Sequence, residues 1–183
     1  MANVYMLLAR GFEEGEAIVP ADLLKRAGAN VILVATEGGL AVPGAHSFTV
    51  TADITFDEIR KDDIDCLVLP GGGLGTQLLG DNPKVLDLVE FCANRGLTIG
   101  AICAAPSILG KMGLLNGRNA AVYPGFGESM KNANITGRKV EHDDIFITAE
   151  GMGVSFEFGF KLIEALYGAD KANEIRTQIR FPD

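Results

Sequence analysis

Tryptophan is absent from the chain, histidine occurs only as His46 and His142, and cysteine only as Cys66, Cys92 and Cys103. With two histidines and no CxxC or HxxxH spacing there is no ready set of zinc ligands, and no metal is expected. Three cysteines, none of them closely paired, argue against a disulfide framework and for a reducing, cytoplasmic setting. No apolar run approaches the roughly 20 residues that span a bilayer. The opening residues Met1–Arg10 lack the basic segment and apolar length of a secretory leader, so no membrane is expected. Basic residues are outnumbered, 16 Lys plus Arg against 24 Asp plus Glu, for a formal charge of −8. Without a basic stripe, such a chain repels phosphate backbones, and nucleic acid is not an expected partner.

What is present is ordinary for a folded protein. Hydrophobic residues make up 48% and charged residues 22%, which excludes disorder and collagen-like repeats. The 183 residues suffice for one sizeable core, so a single domain is expected.

Strand and helix signals alternate. Val4–Ala9 is a short continuous apolar run, the mark of a strand covered on both faces. Glu13 to Ala27 reads as a helix closed by Gly28, with Pro20 bending its early part. Asn30–Thr36 is a second buried strand, and 38–50 reads as turns with a short hairpin or edge element. Ile64–Leu69 is a strand ending in Pro70-Gly-Gly-Gly-Leu-Gly75. Asn82 caps a helix with Pro83 at its first position, and Val85, Leu88, Val89 and Cys92 form the buried face. Leu97–Ile102 is a strand running into Cys103 and an apolar helix to about Met112. Asn119–Tyr123 reads as a strand stopped by Pro124. Lys139–His142 and Ile145–Thr148 form a hairpin candidate, and Val154, Phe158, Leu162 and Leu166 mark a late helix ended by Gly168. This alternation implies an α/β fold with a mainly parallel sheet, in which ligands sit beyond the carboxyl ends of the strands.

Three strand-to-helix junctions therefore carry the chemistry. Gly100-Ala-Ile-Cys103-Ala-Ala-Pro-Ser has small residues around a cysteine at a sharp corner, the pattern of a nucleophile elbow. The start of a helix there is expected to favour the thiolate; the alternative is a structural cysteine acting as a small hydrophobe. The glycines of Pro70–Gly75 can aim backbone N–H groups at an oxyanion, or make an ordinary tight turn. They match neither a P-loop nor GxGxxG. Gly11-Phe-Glu-Glu14-Gly-Glu16 puts carboxylates at a helix start, where they complement the helix dipole; a protonated, partly buried Glu16 would instead hydrogen-bond a thiolate. Cys66 and Cys92 fall on apolar faces and read as packing, and His142 as an exposed turn residue.

Taken in order, GFEEGEA with Glu16, PGGGLG, the AICAAP elbow and Gly151-Met-Gly-Val-Ser155-Phe-Glu-Phe resemble the ThiJ/PfpI superfamily, nearest to the branch of the parkinsonism-associated protein deglycase. The likeness runs from Val4 to about Gly168. It implies a flavodoxin-like three-layer α/β sandwich with the nucleophile elbow at Cys103, a homodimer, and no metal or organic cofactor. By motif position it implies Cys103 as the nucleophilic, oxidation-sensitive cysteine and Glu16 as its acid partner. Gly72 and Ala104 would supply oxyanion N–H groups, and Arg26 a contact in the helix that family dimers share. Three positions depart from the pattern. Tyr123 stands where a histidine is common, and a phenol of ordinary pKa about 10 is no substitute for imidazole as a base at neutral pH. His46 falls near a position that often carries an arginine approaching across the dimer; it either supplies an imidazole in trans or is a solvated loop residue. Met152 also replaces a frequent proline.

The activities that the resemblance implies are glyoxalase or deglycase chemistry on methylglyoxal or glycated adducts. A second class is redox sensing or chaperoning, with Cys103 oxidised to sulfinate and no turnover. A cysteine peptidase ranks third, because Tyr123 occupies the expected histidine position.

Overall fold

The computed structural model describes residues 1–182. Its elements in chain order are β1 (Asn3–Leu8), α1 (Glu14–Arg26), β2 (Asn30–Ala35), β3 (Ala41–Pro43), β4 (Thr49–Thr51), β5 (Ile54–Thr55) and β6 (Cys66–Leu69). They continue with α2 (Gly73–Asp81), α3 (Pro83–Asn94), β7 (Thr98–Ile102), α4 (Pro106–Lys111), β8 (Asn119–Ala120) and β9 (Asn134–Ile135). The last are β10 (Val140–Asp143), β11 (Phe146–Ala149), α5 (Ser155–Tyr167) and α6 (Ala169–Gln178). Seven strands form one sheet in the order β10-β11-β7-β6-β1-β2-β5. All neighbours are parallel except the β10–β11 hairpin at one edge.

The strands are apolar on both faces because helices cover both. Along β1, Val4, Met6 and Leu8 join Leu23 and Leu24 of α1 and Phe158 and Leu162 of α5 in one core layer. Tyr5 and Leu7 point the other way, onto Val85, Leu88 and Val89 of α3 and Leu109 of α4. This period of two is what makes a three-layer sandwich of the strand alternation. Gly100 of β7 keeps the α5 layer close: a Cβ there would sit 2.9 Å from Leu162 Cδ2 and 3.0 Å from Phe158 Cζ.

From β1 the chain winds outward through β2 to β5, then returns to β6 on the other flank and winds outward to β7 and β11. The topological switch point therefore lies between β1 and β6. The loops leaving the carboxyl ends of these two strands meet at that point, which is where ligands sit in folds of this kind.

Several sequence expectations shift. The hairpin expected in 38–50 is the β3–β4 pair, and the 139–148 hairpin is β10–β11. The glycine run after β6 is turn only as far as Gly72, since α2 already begins at Gly73. The expected strand Asn119–Tyr123 shrinks to β8, paired with β9 outside the main sheet. The remainder has other partners for its N–H groups: Ala121 donates to Thr148 Oγ1 at 2.9 Å and Tyr123 to the Cys103 carbonyl at 2.9 Å. The helix after Cys103 runs only from Pro106 to Lys111. Beyond Gly168 lies α6, which the hydrophobic pattern did not mark because only Ala172 and Ile175 of it are buried. Helix α1 continues through Pro20, which has no N–H for the Glu16 carbonyl one turn below.

Candidate active site

Glu16 sits in the first turn of α1, directly after β1, and the intervening loop is held against its neighbours. Gly11 N–H donates to Pro43 O at 2.8 Å and Glu13 N–H to Gly71 O at 3.0 Å. The second contact ties the loop after β1 to the loop after β6 at the switch point, and Glu16 lies inward beside it, 1% exposed. Its Oε2 accepts the Gly71 N–H at 2.9 Å. Burial raises its pKa to about 7; hydrogen bonding from the Cys103 thiol and Gly71 opposes the rise, and the Glu13 charge adds to it.

Cys103 follows β7 and takes φ +64°, left-handed backbone that a non-glycine residue rarely adopts. Two cross-chain hydrogen bonds impose it: the Cys103 N–H donates to Ala149 O at 2.8 Å, and its carbonyl accepts from Tyr123 N at 2.9 Å. Such strain costs roughly 1–3 kcal/mol and persists only where the surroundings over-determine it. The result is the expected elbow, with a half-buried thiol at the corner.

Gly71 and Gly72 bring the third strand of backbone onto the same spot. A Cβ on Gly71 would lie 2.6 Å from Cys103 Cβ and also collide with Glu16 Oε2, so the acid and the thiol face each other across this residue. Gly72 has φ +88°, and a Cβ on it would lie 2.7 Å from Glu13 N. Only glycine lets the chain pass here, and the N–H groups of Gly72 and Ala104 both reach the sulfur.

The structure corrects the expected lowering of the thiol. Burial pushes Cys103 up to about 12, the Glu16 charge and hydrogen bond push the same way, and the Gly72 and Ala104 N–H groups only partly offset them. Helix α4 is six residues long and begins three residues beyond Cys103, so its dipole offers little. With Glu16 ionised, the proton of the pair resides on sulfur.

The other candidates lie apart from this pair. His46 is exposed, and its Nδ1 is 3.0 Å from Glu14 Oε2 and 3.5 Å from Glu13 Oε2. The Glu14 and Glu13 carboxylates raise its pKa, Glu14 first, which favours an imidazolium paired with them. These three residues offer ligand atoms within 4.8 Å of one another, an arrangement that the charge pairing itself accounts for. Tyr123 contributes its backbone to the elbow, while its ring is 49% exposed and packs edge-on against Phe126. Beside the elbow a shallow opening of about 390 Å³ runs between Tyr123 and Met152. Arg26 lies on the surface of α1, paired with Asp22 at 2.8 Å. Cys66 and Cys92 are buried and burial raises both thiols, Cys92 to about 12, consistent with packing roles. His142 is exposed at the β10–β11 turn, its Nε2 3.0 Å from Asp144 O. Sequence reading did not single out Gly71, whose N–H holds the acid; the PGGG run was the available signal.

A model of the DJ-1/PfpI family matches residues 2–165. The chain belongs to the DJ-1/PfpI family. Family membership extends to close overall likeness. The chain is 35% identical to "Protein dj-1beta" of Drosophila melanogaster over 94% of each chain. It is 35% identical to a protein named a deglycase from Pyrococcus abyssi, over 73% of this chain and 79% of that one. The solved structure of oxidised Toxoplasma gondii DJ-1 superposes with a TM-score of 0.94 at 30% identity, covering all of both chains. Family and fold are thus those that the four motifs implied.

Proposed function

We propose that the protein is an enzyme acting on reactive carbonyl compounds, methylglyoxal or glycated adducts, through Cys103 and Glu16. The observation that carries this reading is a buried carboxyl with a pKa of about 7 facing a thiol on a strained elbow. A base of that pKa is well matched to neutral pH, ionised often enough to accept a proton and acidic enough to return it. The high pKa of the resting thiol means that sulfur gives up its proton as it attacks, rather than beforehand.

With methylglyoxal, Cys103 Sγ bonds to the aldehyde carbon while its proton passes to Glu16. The carbonyl oxygen becomes an alkoxide, held by the N–H groups of Gly72 and Ala104, and takes the proton back to give a hemithioacetal. Glu16 next removes the proton from the former aldehyde carbon to form an enediolate and delivers it to the adjacent carbon, while the hydroxyl proton on the former aldehyde oxygen passes to the former ketone oxygen. The product is a lactoyl thioester, and water cleaves it to lactate and free thiol. A glycated amine would follow the same attack on its aminocarbinol carbon, with the amine as leaving group. The name of the Pyrococcus abyssi relative supports a deglycase of this kind. Purified protein mixed with methylglyoxal should produce lactate; full activity in Cys103→Ser or in Glu16→Ala would remove the mechanism.

A second reading has an observation of its own. The N–H groups that surround the sulfur suit sulfinate oxygens, and the Toxoplasma gondii structure is of an oxidised protein. In this reading peroxide adds two oxygens to Cys103 and no substrate turns over. Intact mass after mild peroxide tests it: a gain of about 32 Da confined to Cys103 supports sensing, and a gain spread over three cysteines opposes it. A peptidase has less support, since the His46 ring is engaged by Glu14. We further propose a cytoplasmic homodimer contacting through α1 near Arg26. Among the described residues no helix is long and apolar enough to cross a membrane.

A further inference from the structure

The opening beside the elbow takes no part in the steps at Cys103 and Glu16, yet its wall is built onto both. Its residues come from two loops, 123–124 and 150–154. The Tyr123 N–H is bound to the Cys103 carbonyl at 2.9 Å, and the Ala149 carbonyl that holds the Cys103 N–H at 2.8 Å lies two residues before Gly151. Met152 rests on Gly15, the residue preceding Glu16: a Cβ added to Gly15 would be 2.9 Å from Met152 Cγ. One side of the opening is thus registered to the thiol and the other to the acid.

What this wall offers is apolar surface. Tyr123 is 49% exposed and Met152 57%. Both are braced from behind. The Tyr123 ring lies against Gly151, where an added Cβ would be 3.3 Å from Cδ2, and Phe126 meets it edge-on with 6.3 Å between centroids. Two large apolar side chains left uncovered at the mouth of one opening are surface for a ligand. A phenol ring and a thioether are both favourable partners for a second aromatic ring. Glu150 is the charged residue of the lining, and it opposes an anionic group such as a phosphate or carboxylate.

We propose that Tyr123 and Met152 set the specificity of the site, and that its preferred substrates are 2-oxoaldehydes carrying an aromatic substituent, with methylglyoxal a poorer one. This inference rests on the carbonyl chemistry proposed for Cys103 and Glu16. The aldehyde meets the sulfur, and the substituent on the neighbouring ketone carbon extends between the Tyr123 ring and the Met152 thioether. With phenylglyoxal, the same proton transfers from aldehyde carbon to ketone carbon give a mandeloyl thioester. Water then releases mandelate and the free thiol.

The test compares kcat/KM for phenylglyoxal, read as mandelate, with that for methylglyoxal, read as lactate, on the full chain. Wild type should favour phenylglyoxal by about tenfold, the effect of covering roughly 50 Å² of apolar ring surface. Tyr123→Ala combined with Met152→Ala should lower that ratio by at least about fivefold, whereas Tyr123→Phe, which keeps the ring, should leave it within about twofold. The ratio is taken within one preparation, so a loss of active protein cancels. Should the double variant misfold, Met152→Ala alone should lower the ratio by about threefold. Turnover of methylglyoxal without a preference for phenylglyoxal, or a preference that survives these alanine substitutions, overturns the inference and leaves the reaction at Cys103 standing. Turnover of neither aldehyde by wild type overturns the reading of Cys103, and this inference with it.

Discussion

Gly71 and Glu16 are 55 residues apart in sequence, yet the Gly71 N–H is 2.9 Å from the Glu16 carboxyl oxygen and the Gly71 Cα is backed directly against Cys103. One glycine thus sets the separation of acid and thiol, and adding a methyl group to it is a sharp test. Gly71→Ala places a Cβ 2.6 Å from Cys103 Cβ and 2.9 Å from Ile102 O, with the Glu16 carboxyl also in its way. Either the turn or the acid must move. The expected result is a fall of about 100-fold in lactate formation, as for other small displacements of reacting groups. Overpacking should also lower stability by roughly 1–3 kcal/mol, measured by denaturant titration.

Glu16 links stability to pH. Its pKa is about 7 in the folded chain against 4.5 for the ordinary carboxyl, so the native state holds more protons than the unfolded state between those values. Stability therefore falls as pH rises from about 4.5 to 7, by on the order of 3 kcal/mol for this group. Glu16→Gln removes that dependence while still accepting the Gly71 N–H. The variant should melt higher than wild type at pH 8, and the gain should shrink towards pH 4.5. A gain that did not vary with pH would show that the carboxyl is not buried in its charged form.

The same substitution should separate thiol reactivity from turnover. At pH 8 to 9 the Glu16 carboxylate holds the Cys103 proton in place, so Glu16→Gln lowers the thiol pKa and speeds alkylation by iodoacetamide. Lactate formation should nevertheless drop by about 100-fold or more, since the base is lost. In native wild type only Cys103 should be labelled, with Cys66 and Cys92 reacting after unfolding, as peptide mapping would show.

Tyr123 gives a contrast between its side chain and its backbone. The ring is half exposed, whereas the N–H is bound to the Cys103 carbonyl at 2.9 Å. Tyr123→Phe should therefore change lactate formation by less than about threefold, the scale of a single weak hydrogen bond. Tyr123→Pro deletes the N–H that holds the elbow and should cost about 100-fold. A large loss in the Phe variant would instead put the phenol in the reaction.

Much of this was legible before any coordinates. Strands β1, β2, β6 and β7 announce themselves as continuous apolar runs, because a strand with helices on both sides has no polar face to display. The elbow is readable in AICAAP, where only small residues fit between strand and helix. Helix α6 escaped notice since it buries just two side chains and has no stripe to read. Asn119–Tyr123 misled for the opposite reason: its residues are apolar enough for a strand, but its N–H groups are taken by Thr148 and by the Cys103 carbonyl rather than by a ladder.

What the amino-acid order settles alone is local: where the chain turns, which faces are apolar, and that a cysteine stands at a corner. Protonation was decided elsewhere. The α4 start suggested an acidic thiol, yet burial and a carboxyl contributed by α1 raise it instead. For His46 the amino-acid order leaves open an imidazole reaching the site or a solvated loop residue, and only folding sets its ring against Glu14. Charge states depend on solvent access and on neighbours from distant segments, and both come into being only when the segments pack.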